Sequence, residues 1–249
     1  MSPALAQSPN AAAPSFHTGE RIGLFGGTFD PVHNGHLQIA LGVRRRYCLE
    51  RVIFLPALQP PHKEREITPF HHRVGMLAAA LRGLPAMEIS QLEARRRGPS
   101  YTYDTLRAVR REFGDESHYF LIIGADSFAE IHLWYRFRRL LAEVDLIVAA
   151  RPDYPLDLLQ RQFERLRPAV YDYREEDCSW YCAATGRSIH YFGEAVNPVS
   201  SSVIRERIGK GAAIDDLVPM AVHAYIRHHR LYRKFSSAGS PAAQTAPLP

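Results

Sequence analysis

Cysteine is scarce in this chain: Cys48, Cys178 and Cys182 are the only three in 249 residues. Three thiols make no even disulfide framework, which points to a reducing, cytoplasmic setting. No apolar run approaches the roughly 20 residues that cross a bilayer, so no membrane partner is expected. The N-terminus lacks a charged start followed by an apolar core, which argues against a secretory signal. Charge of either sign is not dominant: 31 basic minus 26 acidic residues leaves +5. That surplus suits an anionic ligand such as a nucleotide and would equally suit RNA, so it does not decide between them.

Apolar residues, by contrast, make up 46% of the chain, enough for a substantial core. Short apolar runs alternate with segments of helical period. Strands are expected at 21–26, 51–56, 86–90, 118–124 and 144–150, with a further one around 189–192. Helices are expected at 35–49, 69–83 and 102–113, and another opens after Ser200-Ser201-Ser202. Near-continuous apolar strands between helices predict an α/β fold, a Rossmann-like doubly wound parallel sheet covered on both faces. Residues 20–235 are read as one domain, with a surface insertion around 153–190. The small, polar, proline-bearing stretches 1–19 and 236–249 are read as disordered tails.

The most informative run is Gly26-Gly27-Thr28-Phe29-Asp30-Pro31-Val32-His33-Asn34-Gly35-His36. It falls where the first strand turns into the first helix. Glycine lets backbone approach a phosphate closely, and a helix start offers unpaired N–H groups at a positive dipole end. Imidazoles placed there can donate to phosphate oxygens that gain charge in a transition state. An ordinary βα turn would need the glycines but not the two histidines. A zinc pair would need further ligands, and only Asp30 qualifies nearby; no protein-held metal is expected. A dinucleotide fingerprint fails because Gly-x-Gly-x-x-Gly is absent from the run. The pattern therefore predicts a nucleotide triphosphate site.

Two other strand ends carry unusual polar residues: 59–63 after Pro56, and Gly124-Ala125-Asp126-Ser127. Ligands of doubly wound sheets bind beyond the carboxyl ends of the strands, so the three ends are expected to converge on one pocket. Arg205, one turn into the helix that follows the three serines, is placed to clamp phosphate oxygens. The serines themselves are good helix N-caps. Cys178 and Cys182 with His190 form only a weak metal-ligand spacing. Arg44-Arg45-Arg46 and Arg95-Arg96-Arg97 read as solvated faces, and no nucleic-acid partner is expected.

Taken together these residues resemble the nicotinate-nucleotide adenylyltransferases, within the nucleotidyltransferase superfamily that carries a His-x-Gly-His signature. The matching stretches are 26–37, 55–63, 98–106, 121–127, 133–138, 147–152, 200–208 and 231–233. The opening motif identifies the superfamily alone. Pro60-Pro61-His62-Lys63, Gly98-Pro99-Ser100-Tyr101-Thr102 and Leu133-Trp134-Tyr135 resemble the mononucleotide-binding part of the narrower family.

The resemblance implies that His33 and His36 contact the ATP phosphates and stabilise the transition state. It implies that Gly26, Gly27, Thr28 and Phe29 form the turn under the nucleotide, with Asp30 supporting its geometry. Ser202 and Arg205 would belong to a triphosphate-binding helix start, and Arg151 would lie near the nucleotide. On the acceptor side it implies Lys63 reaching toward phosphates, Trp134 offering a face to the nicotinate ring, and Thr102 with nearby backbone groups receiving its carboxylate. Trp134 and the Tyr101-Thr102 segment favour a pyridine ring over a pantetheine arm. Asp126 would hold a ribose or orient the pocket. Mg²⁺ would enter bound to ATP, and a homo-oligomer stays open. Ser202 stands where the family usually has Thr; the hydroxyl survives.

The implied reaction is AMP transfer from ATP to nicotinate mononucleotide, giving deamido-NAD and pyrophosphate. Two alternatives remain beside it. One is the same chemistry on nicotinamide mononucleotide or phosphopantetheine. The other is a binding module that holds nucleotide without releasing pyrophosphate.

Overall fold

A computed structural model describes residues 19–60, 67–96, 98–150, 156–194 and 199–233. The expected strands form: β1 (Arg21–Gly27), β2 (Arg51–Pro56), β3 (Met87–Ile89), β4 (His118–Gly124) and β5 (Asp145–Ala149). The helices between them are α1 (Asn34–Arg46), α2 (Phe70–Leu81), α3 (Thr102–Phe113), α4 (Ala125–Ala129) and α5 (Phe137–Glu143). Beyond β5 come α6 (Leu156–Phe163), β6 (Asp172–Arg174), β7 (Ser179–Cys182), β8 (Arg187–Phe192), α7 (Ser201–Gly209) and α8 (Met220–His228).

Among the described residues the strands make one sheet in the order β3-β2-β1-β4-β5-β8-β7-β6. The first six are parallel neighbours, and β7 and β6 continue the sheet antiparallel. Strand period two sends Leu24, Ile53, Leu121 and Leu146 to one face and Phe25, Phe54, Ile122 and Ile147 to the other. Leu106 and Val109 of α3 and Leu140 and Leu141 of α5 cover the first face. Val43 of α1, Met76 and Leu77 of α2, and Val222 and Ile226 of α8 cover the second. The chain reverses its winding at β1, which has β2 on one side and β4 on the other. That switch opens a crevice beyond the carboxyl ends of β1 and β4.

The 153–190 segment departs from its reading as a surface insertion. It runs from beyond β5 into β8, and within it β7 hydrogen-bonds to β8 and β6 to β7, so its strands widen the main sheet. Trp180 is 4% exposed and stacks on Phe163 with ring centroids 4.8 Å apart. The charged run 173–177 hid this, because β6 is exposed along its whole length and behaves as an edge. Among the described residues no three His, Cys, Asp or Glu side chains are grouped to hold a metal, those around Cys178 and Cys182 included. No helix among them is long and apolar enough to cross a membrane. The expected tails, 1–19 and 236–249, lie outside the described residues except for Gly19.

Candidate active site

Gly26, the last residue but one of β1, is exposed, and a Cβ there would meet nothing within 4 Å; the same holds for Gly124 at the end of β4. Two adjacent strands thus present bare backbone to the switch-point crevice, where a ligand can approach the main chain closely. Gly27 differs, for its added Cβ would lie 2.8 Å from the Phe29 ring. Phe29 itself is 2% exposed with φ 50, a left-handed conformation that costs a bulky residue about 1–3 kcal/mol. Its ring is held by Phe25 at 5.7 Å, Phe54 at 5.5 Å and His36 at 5.1 Å between centroids. Aromatic packing therefore keeps the strained turn in place.

The turn leads through Asp30, Pro31 and Val32 into His33, the N-cap of α1. The His33 backbone N–H donates to His36 Nδ1 at 3.3 Å, and the two rings stack at 3.7 Å. An Nδ1 that accepts leaves Nε2 as the proton-bearing nitrogen of a neutral imidazole. Both histidines thus sit on the first turn of α1, with the helix N–H groups and dipole beside them. That is a concentration of donors suited to phosphate oxygens.

Asp30 is 1% exposed and held from two directions. Its backbone carbonyl accepts from Arg205 Nη1 at 2.6 Å, and its Oδ1 accepts from the Tyr232 hydroxyl at 2.8 Å. Burial first, and then the neighbouring Asp30 carboxylate, pushes the Tyr232 phenol far above its ordinary pKa, so it stays a donor. Arg205 also donates to Ser202 Oγ at 3.0 Å, and Ser201 Oγ donates to the Pro31 carbonyl at 2.9 Å. Ser200 caps α7, accepting from the Val203 N–H at 3.3 Å. The N-terminus of α7 is thereby docked against the turn.

Beyond the end of β2, Gln59 and Ser100 exchange two bonds of 3.1 Å: Gln59 N–H to Ser100 Oγ, and Ser100 N–H to the Gln59 carbonyl. Buried Glu93 accepts from the Leu58 N–H at 3.2 Å and from Thr105 Oγ1 at 2.9 Å. Tyr101 caps α3 and packs against Tyr135 at 4.7 Å, bringing the 133–135 segment alongside. Thr102 opens α3, where first-turn N–H groups lack helical partners. Trp134 is half-buried and packs against the core on the α3 side, so part of its face is committed to the fold. Asp126 is exposed in the first turn of α4, just past Gly124.

The expected residues fall into two groups. Gly27, Phe29, Asp30, His33, His36, Ser202 and Arg205 are joined by the contacts above, and Gly26 and Thr28 belong to the same strand end and turn. Tyr101 and Thr102 belong with the loop after β2, and Trp134 lies next to Tyr135, which contacts Tyr101. Asp126 borders the crevice through Gly124 alone. Lys63 and Arg151 lie outside the described residues.

The sequence reading missed Arg73, which is 1% exposed and spans the two groups. Its Nη1 donates to the Thr28 carbonyl at 2.8 Å, its Nε to the Thr68 carbonyl at 2.9 Å, and its Nη2 to the Leu58 carbonyl at 3.5 Å. A signal existed. The buried face of α2 is Arg73, Met76, Leu77, Ala80 and Leu81, spaced i, i+3, i+4, i+7, i+8, so an arginine occupies a core position. Two of the helix's other apolar residues fall off that face: Val74 is half-buried and Ala78 exposed. Glu93 was not singled out either, and Ser100 and Tyr232 lay inside matching stretches without a role of their own.

The cytidylyltransferase-like family matches residues 24–207. A protein of Syntrophotalea carbinolica named "Probable nicotinate-nucleotide adenylyltransferase" is 39% identical over 223 residues, 86% of this chain and 97% of that protein. One of the same name from Thermomicrobium roseum is 41% identical over 215 residues, covering 86% and 92% of the two chains. Among solved structures, Plasmodium falciparum nicotinic acid mononucleotide adenylyltransferase complexed with NaAD superposes with a TM-score of 0.66 at 18% identity. That superposition covers 86% of this chain and 97% of the other, a likeness of fold. The glycine-lined switch point, the His33–His36 pair and these relatives agree: the chain belongs to the nicotinate-nucleotide adenylyltransferase family.

Proposed function

We propose that this protein transfers AMP from Mg·ATP to nicotinate mononucleotide, giving deamido-NAD and pyrophosphate. The observation that carries the reading is the stacked His33–His36 pair at the start of α1, beside the exposed Gly26 backbone. An oxygen of the acceptor's 5′-phosphate attacks the α-phosphorus of ATP in line. The bond from that phosphorus to the bridging oxygen breaks, and pyrophosphate leaves with the electron pair. The acceptor phosphate is already ionised near neutral pH, so no covalent enzyme intermediate and no general base are required.

The protein's contribution is positioning and charge stabilisation. His36 Nε2–H and His33 donate to the phosphate oxygens, and Ser202 and Arg205 flank the triphosphate from α7. Mg²⁺ would enter bound to ATP and would supply charge neutralisation to the phosphates, without a cage of protein ligands. Tyr101, Thr102 and the start of α3 take the nicotinate carboxylate, and the exposed side of Trp134 faces the ring. Arg151 acts on the nucleotide, Lys63 on phosphates, and Asp126 holds a ribose or orients the pocket.

The test is pyrophosphate release from Mg·ATP with nicotinate mononucleotide, beside nicotinamide mononucleotide and phosphopantetheine. A strong preference for the nicotinate substrate is expected. Equal turnover of the amide would keep the chemistry and remove the carboxylate role of Thr102. No release with any acceptor would leave a nucleotide-binding module.

A further inference from the structure

Arg73 and Tyr232 lie outside the residues assigned above to substrate contact, yet both reach the turn that carries the histidines. They come from remote parts of the chain and meet the turn at its two flanks. Arg73 gives one guanidinium to three carbonyls: Thr28 in the turn, Leu58 after β2 and Thr68 just before α2. A planar fork of five donors can serve three backbone segments at once, which the point charge of a lysine cannot. Tyr232 follows α8 with φ 64, a strained conformation for a tyrosine, and donates to Asp30. Its oxygen also lies 3.7 Å from Met76 Sδ, one turn along α2 from Arg73. The two tethers therefore share a platform made of α2 and the chain that leaves α8.

Neither residue is a plausible bystander in energetic terms. A guanidinium taken out of water is costly unless its donors are met, and these donors are met by backbone that a stable core would not need to hold together. The phenol is partly buried and hydrogen-bonds the carboxylate of Asp30, one residue past the strained Phe29. Both features fix where the turn ends and where His33 begins.

We propose that Arg73, through the Thr28 carbonyl, and Tyr232, through the Asp30 carboxylate, are positioning residues that set the nucleotide turn and so aim His33 and His36. The inference rests on the adenylyltransferase reading for its effect on rate, but the positions of the histidines can be read without substrate. Neither tether touches ligand, so the effect falls on turnover more than on affinity. A displacement of about 1 Å at a catalytic group can cost on the order of 10²-fold.

The experiment uses Tyr232→Phe, which removes one oxygen, and Arg73→Lys, which keeps charge but abandons two carbonyls. Steady-state kinetics with Mg·ATP and nicotinate mononucleotide are measured with folded fraction at the assay temperature and the ring-proton NMR signals of His33 and His36. We expect kcat to fall about 10-fold for Tyr232→Phe and about 10²-fold for Arg73→Lys, with each KM within about three-fold. The His33 and His36 signals should shift in both variants without substrate. A folded variant with wild-type kcat and unmoved histidine signals overturns the role of that residue. So does an Arg73→Lys chain that does not fold, which would assign the guanidinium to stability. If the wild-type chain releases no pyrophosphate, the functional reading fails while the histidine signals still decide the tethers.

Discussion

Gly27 and Phe29 are in steric register: a methyl group placed on Gly27 would come within 2.8 Å of Phe29 Cζ. The ring cannot swing away, because Phe25, Phe54 and His36 surround it. Gly27→Ala should therefore push the turn instead of the ring, costing about 1–3 kcal/mol of stability together with turnover. Gly26→Ala has open space around its Cβ, so it should spare the fold and act through ligand approach, raising the KM for ATP. Denaturant melts and ATP kinetics on the pair separate the two effects. Equal destabilisation by both would contradict the packing argument.

His36 has two jobs that one substitution can divide. Its Nδ1 accepts the His33 N–H at the helix start, while Nε2 is left to donate. Asparagine can place its side-chain oxygen near the position of Nδ1 but offers no counterpart to Nε2–H. His36→Asn should thus keep stability within about 1 kcal/mol and lower kcat by on the order of 10²-fold. His33→Ala should lose a similar factor in kcat. A variant that loses ATP affinity with kcat intact would show that the imidazoles bind the ground state only.

Much of this site was legible in the chain because its determinants are local. The glycines, Asp30 and the two histidines lie within one strand, turn and helix start, where spacing alone fixes their relation. The six parallel strands were legible for a similar reason: strands buried on both faces read as continuous apolar runs. What escaped depends on partners far away in sequence. Tyr232 meets Asp30 across 202 positions, and Arg73 meets Thr28 across 45. No local pattern encodes such a contact, although the arginine in the core stripe of α2 marked its own end of one. The β6–β7 extension was hidden because its edge strand is polar, and α8 was not read from the sequence at all.

Asp145 anchors the wider sheet and should make stability depend on pH. Burial alone would raise its pKa. Hydrogen bonds from His118 and from the Ser188 N–H, at 2.6 Å for the latter, outweigh this with help from Arg187 and hold it below the ordinary carboxylate range. A carboxylate depressed in the folded state adds stability that is present above its unfolded pKa, about 4, and lost as pH falls through the folded value. Asp145→Asn should therefore cost about 1.5–3 kcal/mol at pH 7. The gap from wild type should narrow below about pH 4. Urea melts at pH 7 and pH 3.5 test this, and a gap that ignores pH would remove the charge from the explanation.

Trp134 is the sharpest test of the proposed acceptor pocket, because it divides its surface between core and solvent. One side packs on the α3-facing core, and its neighbours Leu133 and Tyr135 are exposed. Leucine preserves apolar filling on the core side but removes the aromatic face. Stacking on a ring is worth about 0.5–1.5 kcal/mol beyond area burial, which corresponds to a KM change of roughly 2- to 10-fold. Trp134→Leu should thus raise the KM for nicotinate mononucleotide by that factor and leave the KM for ATP alone. Trp134→Phe should recover most of the loss, since a six-membered face remains. If Leu and Phe variants behave alike, the indole serves the core and the ring-stacking role passes to Tyr101 or Tyr135, whose rings already pair at 4.7 Å.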